Sequence, residues 1–65
     1  MNYGKRIKQL REQAGLSQTK LAEIAGVTPQ AISMIESGER NIVTKTANKI
    51  AGALGVTLNK LFEEE

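Results

Sequence analysis

This 65-residue chain lacks the residue types on which most catalytic and metal sites depend. There is no cysteine and no histidine, which excludes disulfide bonds, Cys/His zinc sites, Ser-His-Asp triads and histidine general bases. Three of the seven acidic residues stand together at the end, as Glu63, Glu64 and Glu65, and the others are scattered. A nuclease would need a carboxylate cluster or a histidine. We therefore expect no enzymatic activity, no metal and no cofactor.

The residues that remain as candidates for a functional site are the basic ones, Lys and Arg. The whole chain has a net charge of +2, but residues 1–62 carry nine Lys/Arg against four Glu, a net of +5. We interpret residues 1–62 as one domain and residues 63–65 as an acidic tail. A basic domain suits a polyanionic partner. No run of 18 apolar residues and no apolar leader is present, so a cytoplasmic protein without membrane association is expected.

Five short helices are predicted, because apolar residues recur at steps of three and four between breakers. The expected inward positions are, helix by helix, Tyr3, Ile7, Leu10 and Ala14; Leu21, Ala22, Ile24 and Ala25; Ile32 and Ile35; Ala47, Ile50, Ala51 and Leu54; and Leu58, Leu61 and Phe62. The expected N-caps of the last four helices are Ser17, Thr28, Thr44 and Thr57, and the expected stops of the first four are Gly15, Gly26, Gly38 and Gly55. Residues 39–43 are expected to form a loop. The pattern predicts an all-α fold, a compact five-helix bundle.

The most informative segment is residues 18–37, QTKLAEIAGVTPQAISMIES. Two helices of about two turns each are separated there only by the residues around Gly26 and Val27. So tight a connection forces a steep crossing, the arrangement of a helix-turn-helix. A small residue, Ala22, suits the close approach of the helices. One exposed edge of the pair is expected to present Gln18, Pro29, Gln30, Ser33 and Met34.

The chain resembles the Cro and lambdoid phage repressor class of regulators, also called the Xre family. The resemblance is carried by RIKQLREQAGLSQTKLAEIAGVTPQAISMIESGER at 6–40 and KIAGALGVTLNKLF at 49–62. It implies a lambda repressor-like DNA-binding domain whose third helix enters the major groove of double-stranded DNA. It also implies a regulator of transcription, which acts by occupying an operator.

The resemblance implies roles for individual residues. The base-reading positions are Pro29, Gln30, Ser33 and Met34. Gln30 would pair bidentately with adenine, and Met34 would lie against a thymine methyl. The positions expected to contact the DNA backbone are Gln18, Lys20, Thr28, Ser37, Arg40, Asn41 and Lys45. Gln18 would hold a phosphate at the start of the second helix, where the helix dipole assists.

Two further roles are structural. Arg11 and Glu36 match a partly buried ion pair that joins the first helix to the third. The region after the fourth helix matches a dimer contact, formed by Val56, Leu58, Leu61 and Phe62. A homodimer on a two-fold-related operator is therefore expected, since half-sites one DNA turn apart require a two-fold interface.

The chain departs from many relatives in its recognition helix. Residues 28–37 contain no Lys or Arg and one acid, Glu36, so no Arg–guanine contact is available from this helix. Specificity would depend on a few polar and apolar contacts and on DNA shape. The neutral surface keeps an alternative open, a protein-interaction module of the same fold, antitoxin-like or binding another partner. No small-molecule ligand is expected, because 65 residues leave no room for a sensing domain.

Overall fold

Each of five helices contributes one large, fully buried aliphatic side chain to a common core. The computed structural model describes residues 3–62, and its helices are α1 (Tyr3–Gln13), α2 (Gln18–Ala25), α3 (Pro29–Ser37), α4 (Thr44–Leu54) and α5 (Leu58–Phe62). The five side chains, in chain order, are Ile7, Leu21, Ile32, Ile50 and Leu61. This arrangement confirms the expected all-α fold. The predicted acidic tail, Glu63 to Glu65, lies outside the described residues.

The helices pack as a bundle that measures 26 × 24 × 20 Å. Helix α2 lies against α3 and α4, α1 lies against α3 and α5, and α4 lies against α5. At one end the rings of Tyr3 and Phe62 meet edge to face, with centroids 4.7 Å apart and an interplanar angle of 62°. This aromatic pair joins the start of α1 to the end of α5. Within residues 3–62, no helix is both long enough and apolar enough to cross a bilayer.

Three of the predicted N-caps form the expected hydrogen bonds. Ser17 Oγ accepts from Lys20 N at 3.0 Å, Thr28 Oγ1 from Ala31 N at 3.1 Å, and Thr57 Oγ1 from Lys60 N at 3.2 Å. The fourth prediction is wrong. Helix α4 has Val43 at its N-cap position with no side-chain hydrogen bond, and Thr44 is already its first helical residue. A β-branched apolar residue thus starts this helix, where sequence reasoning favoured the nearest hydroxyl.

Two predicted inward positions are exposed in the structure, and four others are only partly buried. Ile24 is 50% exposed, because it falls about 100° of helical rotation away from the centre of the buried face of α2. Ala14 is exposed because α1 ends at Gln13 and leaves it in the turn. The four partly buried residues are Tyr3, Leu54, Leu58 and Phe62. The remaining buried positions agree with the helical spacing.

Candidate nucleic-acid interface

A three-residue connection sets the angle between α2 and α3. Gly26 follows α2 with a φ of +74°, a left-handed conformation that favours glycine, and Val27 N donates to Ala22 O at 3.0 Å. Thr28 then caps α3, and Pro29 occupies the first turn, where its missing N–H costs nothing. Val27 packs partly buried against the core. The connection is therefore fixed by backbone conformation, capping and packing together.

The two faces of α3 have opposite characters. The inward face buries Ala31, Ile32 and Ile35. On the outward face, the four predicted base-reading residues are exposed except for Met34, which is half-buried; they are Pro29, Gln30, Ser33 and Met34. The outward face carries no charge. It can offer an amide, a hydroxyl and a thioether, which suit base edges and thymine methyl groups.

A buried ion pair joins α1 to α3 behind this face. Arg11 Nε lies 2.8 Å from Glu36 Oε2, and Arg11 Nη2 lies 3.1 Å from Oε1, a two-point contact. The residues are only 8% and 9% exposed, respectively. The hydrogen bond to Glu36 raises the pKa of Arg11 above its ordinary value, so the guanidinium stays charged. The pair expected from the sequence is thus present.

Gln18 occupies a different environment from the one expected. Sequence reasoning placed its side chain outward, but the residue is half-buried and its Nε2 donates to Glu36 Oε1 at 3.1 Å. The carboxylate of Glu36 therefore receives hydrogen bonds from both α1 and the first residue of α2. An amide nitrogen has two hydrogens, so a second donor of Gln18 remains at this helix start. Its predicted phosphate contact stays a prediction.

The loop after α3 is anchored at its beginning. Glu39 N and Arg40 N both donate to Met34 O, at 3.0 and 3.2 Å. The Ser37 hydroxyl lies 3.1 Å from Met34 O and 3.1 Å from a Glu39 carboxylate oxygen. Two surface hollows of about 280 Å³ each flank the loop. Arg40 and Asn41 line both hollows and remain exposed.

The other predicted backbone contacts are Lys20, Thr28 and Lys45, which are exposed. Lys20 is exposed on α2, with its Nζ 3.7 Å from Glu23 Oε1. Lys45 is exposed in the first turn of α4. Thr28 uses its hydroxyl oxygen in the cap of α3, which leaves the hydroxyl hydrogen as a donor. Along the sequence, Lys20 and Thr28 precede α3, on α2 and on the connection, and Lys45 follows the loop after α3.

The predicted dimer contact needs one correction. Leu61 has no exposed surface and belongs to the core of the single chain, so it has no area to give to a partner. Its position three residues after Leu58 turns it inward, toward α1 and α4. Val56, Leu58 and Phe62 are half-buried and keep some surface at this end. Their role in dimer contact stays a prediction.

Two structural features were missed by sequence reasoning. Gly4 is buried where α1 presses on the backbone of α3, although its position three residues before Ile7 signals the inward face of a helix. Leu16 O accepts a hydrogen bond from Arg11 Nη1 at 2.7 Å. No sequence pattern announces this second contact, because any residue would supply the same carbonyl.

Comparison with known proteins identifies the class that this geometry defines. The family model described as helix-turn-helix matches residues 7–61, so the chain belongs to the helix-turn-helix family. The HTH-type transcriptional regulator PuuR of Escherichia coli is 39% identical over 61 residues, which cover 94% of this chain and 33% of PuuR. The immunity repressor protein of Bacillus phage phi105 is 35% identical over 65 residues. The chain thus spans between a third and just under half the length of these relatives.

A solved structure of similar size shares the fold closely. The restriction-modification controller protein C.AhdI from Aeromonas hydrophila has a TM-score of 0.91 and 34% identity, over 94% of this chain and 92% of that one. The predicted resemblance to Xre-type regulators is therefore confirmed in both sequence and fold.

Proposed function

We propose that this protein is a sequence-specific double-stranded DNA-binding regulator of transcription. The observation that carries the proposal is the helix pair α2–α3, whose second helix has a buried apolar face and an exposed face of polar and apolar groups without charge. Membership of the helix-turn-helix family supports it, as does the fold shared with a controller protein. Binding would regulate transcription sterically, through occupation of an operator in the cytoplasm.

The outward face of α3 supplies the base contacts in this proposal. Gln30 is exposed one residue after Pro29, and its amide can donate to and accept from the edge of adenine. Ser33 lies about one turn further on, and half-buried Met34 offers an apolar surface to a thymine methyl. Because no Lys or Arg stands on this helix, A·T pairs are the expected targets of direct contacts.

The surroundings of α3 supply the phosphate contacts. The start of α2 presents backbone N–H groups and the positive end of the helix dipole beside Gln18. Beyond α3, exposed Arg40, Asn41 and Lys45 can reach the DNA backbone. These contacts fix the orientation of the protein on the duplex. They also make affinity depend on salt, because each phosphate that is neutralised releases a counterion.

The protein is proposed to act as a homodimer. The half-buried apolar residues Val56, Leu58 and Phe62 lie near the start and end of α5 and keep surface that a second copy can cover. A 65-residue chain offers little area, so we expect a weak dimer that DNA strengthens through linkage. Two copies related by a two-fold axis would read half-sites one helical turn apart.

The absence of charge on the outward face of α3 also favours a second candidate, a protein-interaction module that binds a partner through this same surface. The two candidates differ in what contacts Ser33. On a DNA regulator this residue faces the duplex, whereas on a partner-binding module it faces protein.

A cross-linking experiment tests the proposal, and the cysteine-free chain makes it simple. Ser33→Cys on α3 and Asn59→Cys on α5 would each carry one thiol-reactive photocross-linker, both at exposed positions. The proposal predicts strong cross-linking to duplex DNA from position 33 and little from position 59. Asn41→Cys in the loop is a second test position, in case the label on α3 obstructs binding. Equal cross-linking from all positions, or none, would contradict it.

A further inference from the structure

One carboxylate connects the two parts of the proposed DNA-binding surface. Glu36 Oε1 receives hydrogen bonds from Arg11 Nη2 and from Gln18 Nε2, each at 3.1 Å, and Oε2 receives Arg11 Nε at 2.8 Å. Arg11 extends the network, since its Nη1 donates to Leu16 O at 2.7 Å, just before the N-cap of α2. Glu36 therefore holds the start of α2 directly, through Gln18, and indirectly, through Arg11.

The hydrogen bonds of this network satisfy its buried polar atoms. Within residues 3–62, every buried side-chain nitrogen or oxygen has a hydrogen-bond partner. The Glu36 carboxylate receives three hydrogen bonds from α1 and α2, and its charge is compensated by Arg11. An acid in the proposed recognition helix is thus turned away from DNA. Its side chain is only 4% exposed and its charge is paired with that of Arg11, which offsets its repulsion of nearby phosphates.

The orientation of Gln18 follows from this contact. One hydrogen of its amide is directed at Glu36, so the amide and its second hydrogen are restrained relative to α3. The phosphate contact proposed for α2 and the base contacts proposed for α3 then belong to one hydrogen-bonded unit. A group held in its bound orientation loses less entropy when DNA binds.

From this geometry we infer that Glu36 and Gln18 are positioning residues for DNA recognition, which set the start of α2 against α3 so that phosphate and base contacts form together. The inference rests on the proposed function. It gives Glu36 two separate roles. With Arg11 it stabilises the fold, and with Gln18 it sets the register of the protein on DNA. If the start of α2 were no longer held against α3, it would still contact the phosphates of any DNA sequence. However, α3 would no longer be aligned with the bases of the operator.

The test uses Gln18→Met, which keeps the length and helix propensity of the side chain and removes the amide. Gln13→Met is the matched control, the same chemical change at an exposed position on α1. Affinities are measured for an operator obtained by selection from a random duplex pool and for a scrambled duplex of equal length. We expect Gln18→Met to lower the operator-to-scrambled ratio by about tenfold, because part of the base discrimination by α3 is lost when the helix is misaligned. The control should leave the ratio within about twofold.

The result is read together with the melting temperature. A fall in selectivity in a protein that stays folded at the assay temperature supports positioning, because a purely structural role would lower the melting temperature and leave the ratio intact. An equal change in both affinities, or no change, overturns the inference while the proposed function stands. If the unmodified protein fails to prefer any duplex, the proposed function fails and the inference fails with it. The side-chain amide signals of Gln18 in the free protein check separately that the hydrogen bond exists.

Discussion

Gly4 of α1 touches the backbone of Glu36 in α3 so closely that no side chain fits between them. A Cβ atom built on Gly4 would lie 2.8 Å from Glu36 O and 2.9 Å from its Cα, and closer still to Ile35 O. Real Cβ atoms essentially never approach other atoms within 3.0 Å, and here the obstructing atoms are backbone. The glycine thus sets the distance at which the first helix supports the proposed recognition helix.

Gly4→Ala is expected to destabilise the protein. Alanine is the better helix former by about 1 kcal/mol, but separating α1 from α3 costs more, as overpacked cores commonly lose about 1–3 kcal/mol. The expected net loss in the free energy of urea unfolding is up to about 2 kcal/mol.

Gly52→Ala is the matched control for this substitution. Gly52 is an exposed residue inside α4 with open space around its Cβ position. The same change there should stabilise the protein by about 0.5–1 kcal/mol. If Gly4→Ala were equally stabilising, the close approach of α1 to α3 would be refuted.

Two isoleucines allow a core position to be compared with a surface position. Ile32 has no exposed area, whereas Ile24 is half exposed. Ile32→Ala should cost about 2–5 kcal/mol, through lost burial and a cavity. Ile24→Ala should cost about 0.5 kcal/mol or less, since surface changes are usually small. Thermal unfolding followed by circular dichroism measures both, and equal losses would argue that Ile24 is buried.

Replacing only one residue of the Arg11–Glu36 ion pair should lower the free energy of unfolding more than replacing both residues. Arg11→Met leaves Glu36 buried without its charge partner, and such single changes typically cost about 3–5 kcal/mol. The double variant Arg11→Met, Glu36→Leu is expected to recover most of that stability, because apolar pairs of similar volume often substitute well. Urea denaturation of the three proteins checks this. A double variant no more stable than the single one would contradict the explanation.

Salt dependence tests the proposed phosphate contacts. Removing one Lys or Arg that neutralises a phosphate lowers the slope of log affinity against log salt by about one. Arg40→Ala and Lys45→Ala should each show this change. Lys60→Ala, an exposed cation on α5, should not. The measurement is fluorescence anisotropy between about 50 and 200 mM salt. An affinity indifferent to salt would remove the phosphate assignments altogether.

Much of the fold was predictable because helical spacing and capping residues act locally. The five helices, three of the four caps and the core positions of α3 follow from apolar periodicity and from hydroxyl and glycine positions. The errors also have local causes. Ile24 is apolar but lies at the rim of its face, and Thr44 offers a hydroxyl one residue too late.

The candidate site was predictable only in part. The exposure of Pro29, Gln30 and Ser33 follows from the opposite, buried face of α3. The hydrogen bond from Gln18 to Glu36 does not, because it joins side chains 18 residues apart through the packing of two helices. Spacing along one helix predicts the face of the helix on which a residue lies. The residue that it contacts on another helix depends on how the two helix axes cross.

The most direct test of the central claim is selection of bound duplexes from a random DNA pool, at about 150 mM salt so that exposed charges are substantially screened. We predict enrichment of an inverted repeat whose half-sites are about one helical turn apart, with A·T pairs at the contacted positions. In the same selection, Gln30→Ala should lose preference at one position of each half-site, worth about 1–3 kcal/mol. A folded protein that enriches no sequence would contradict the assignment of α3 as a DNA-reading helix.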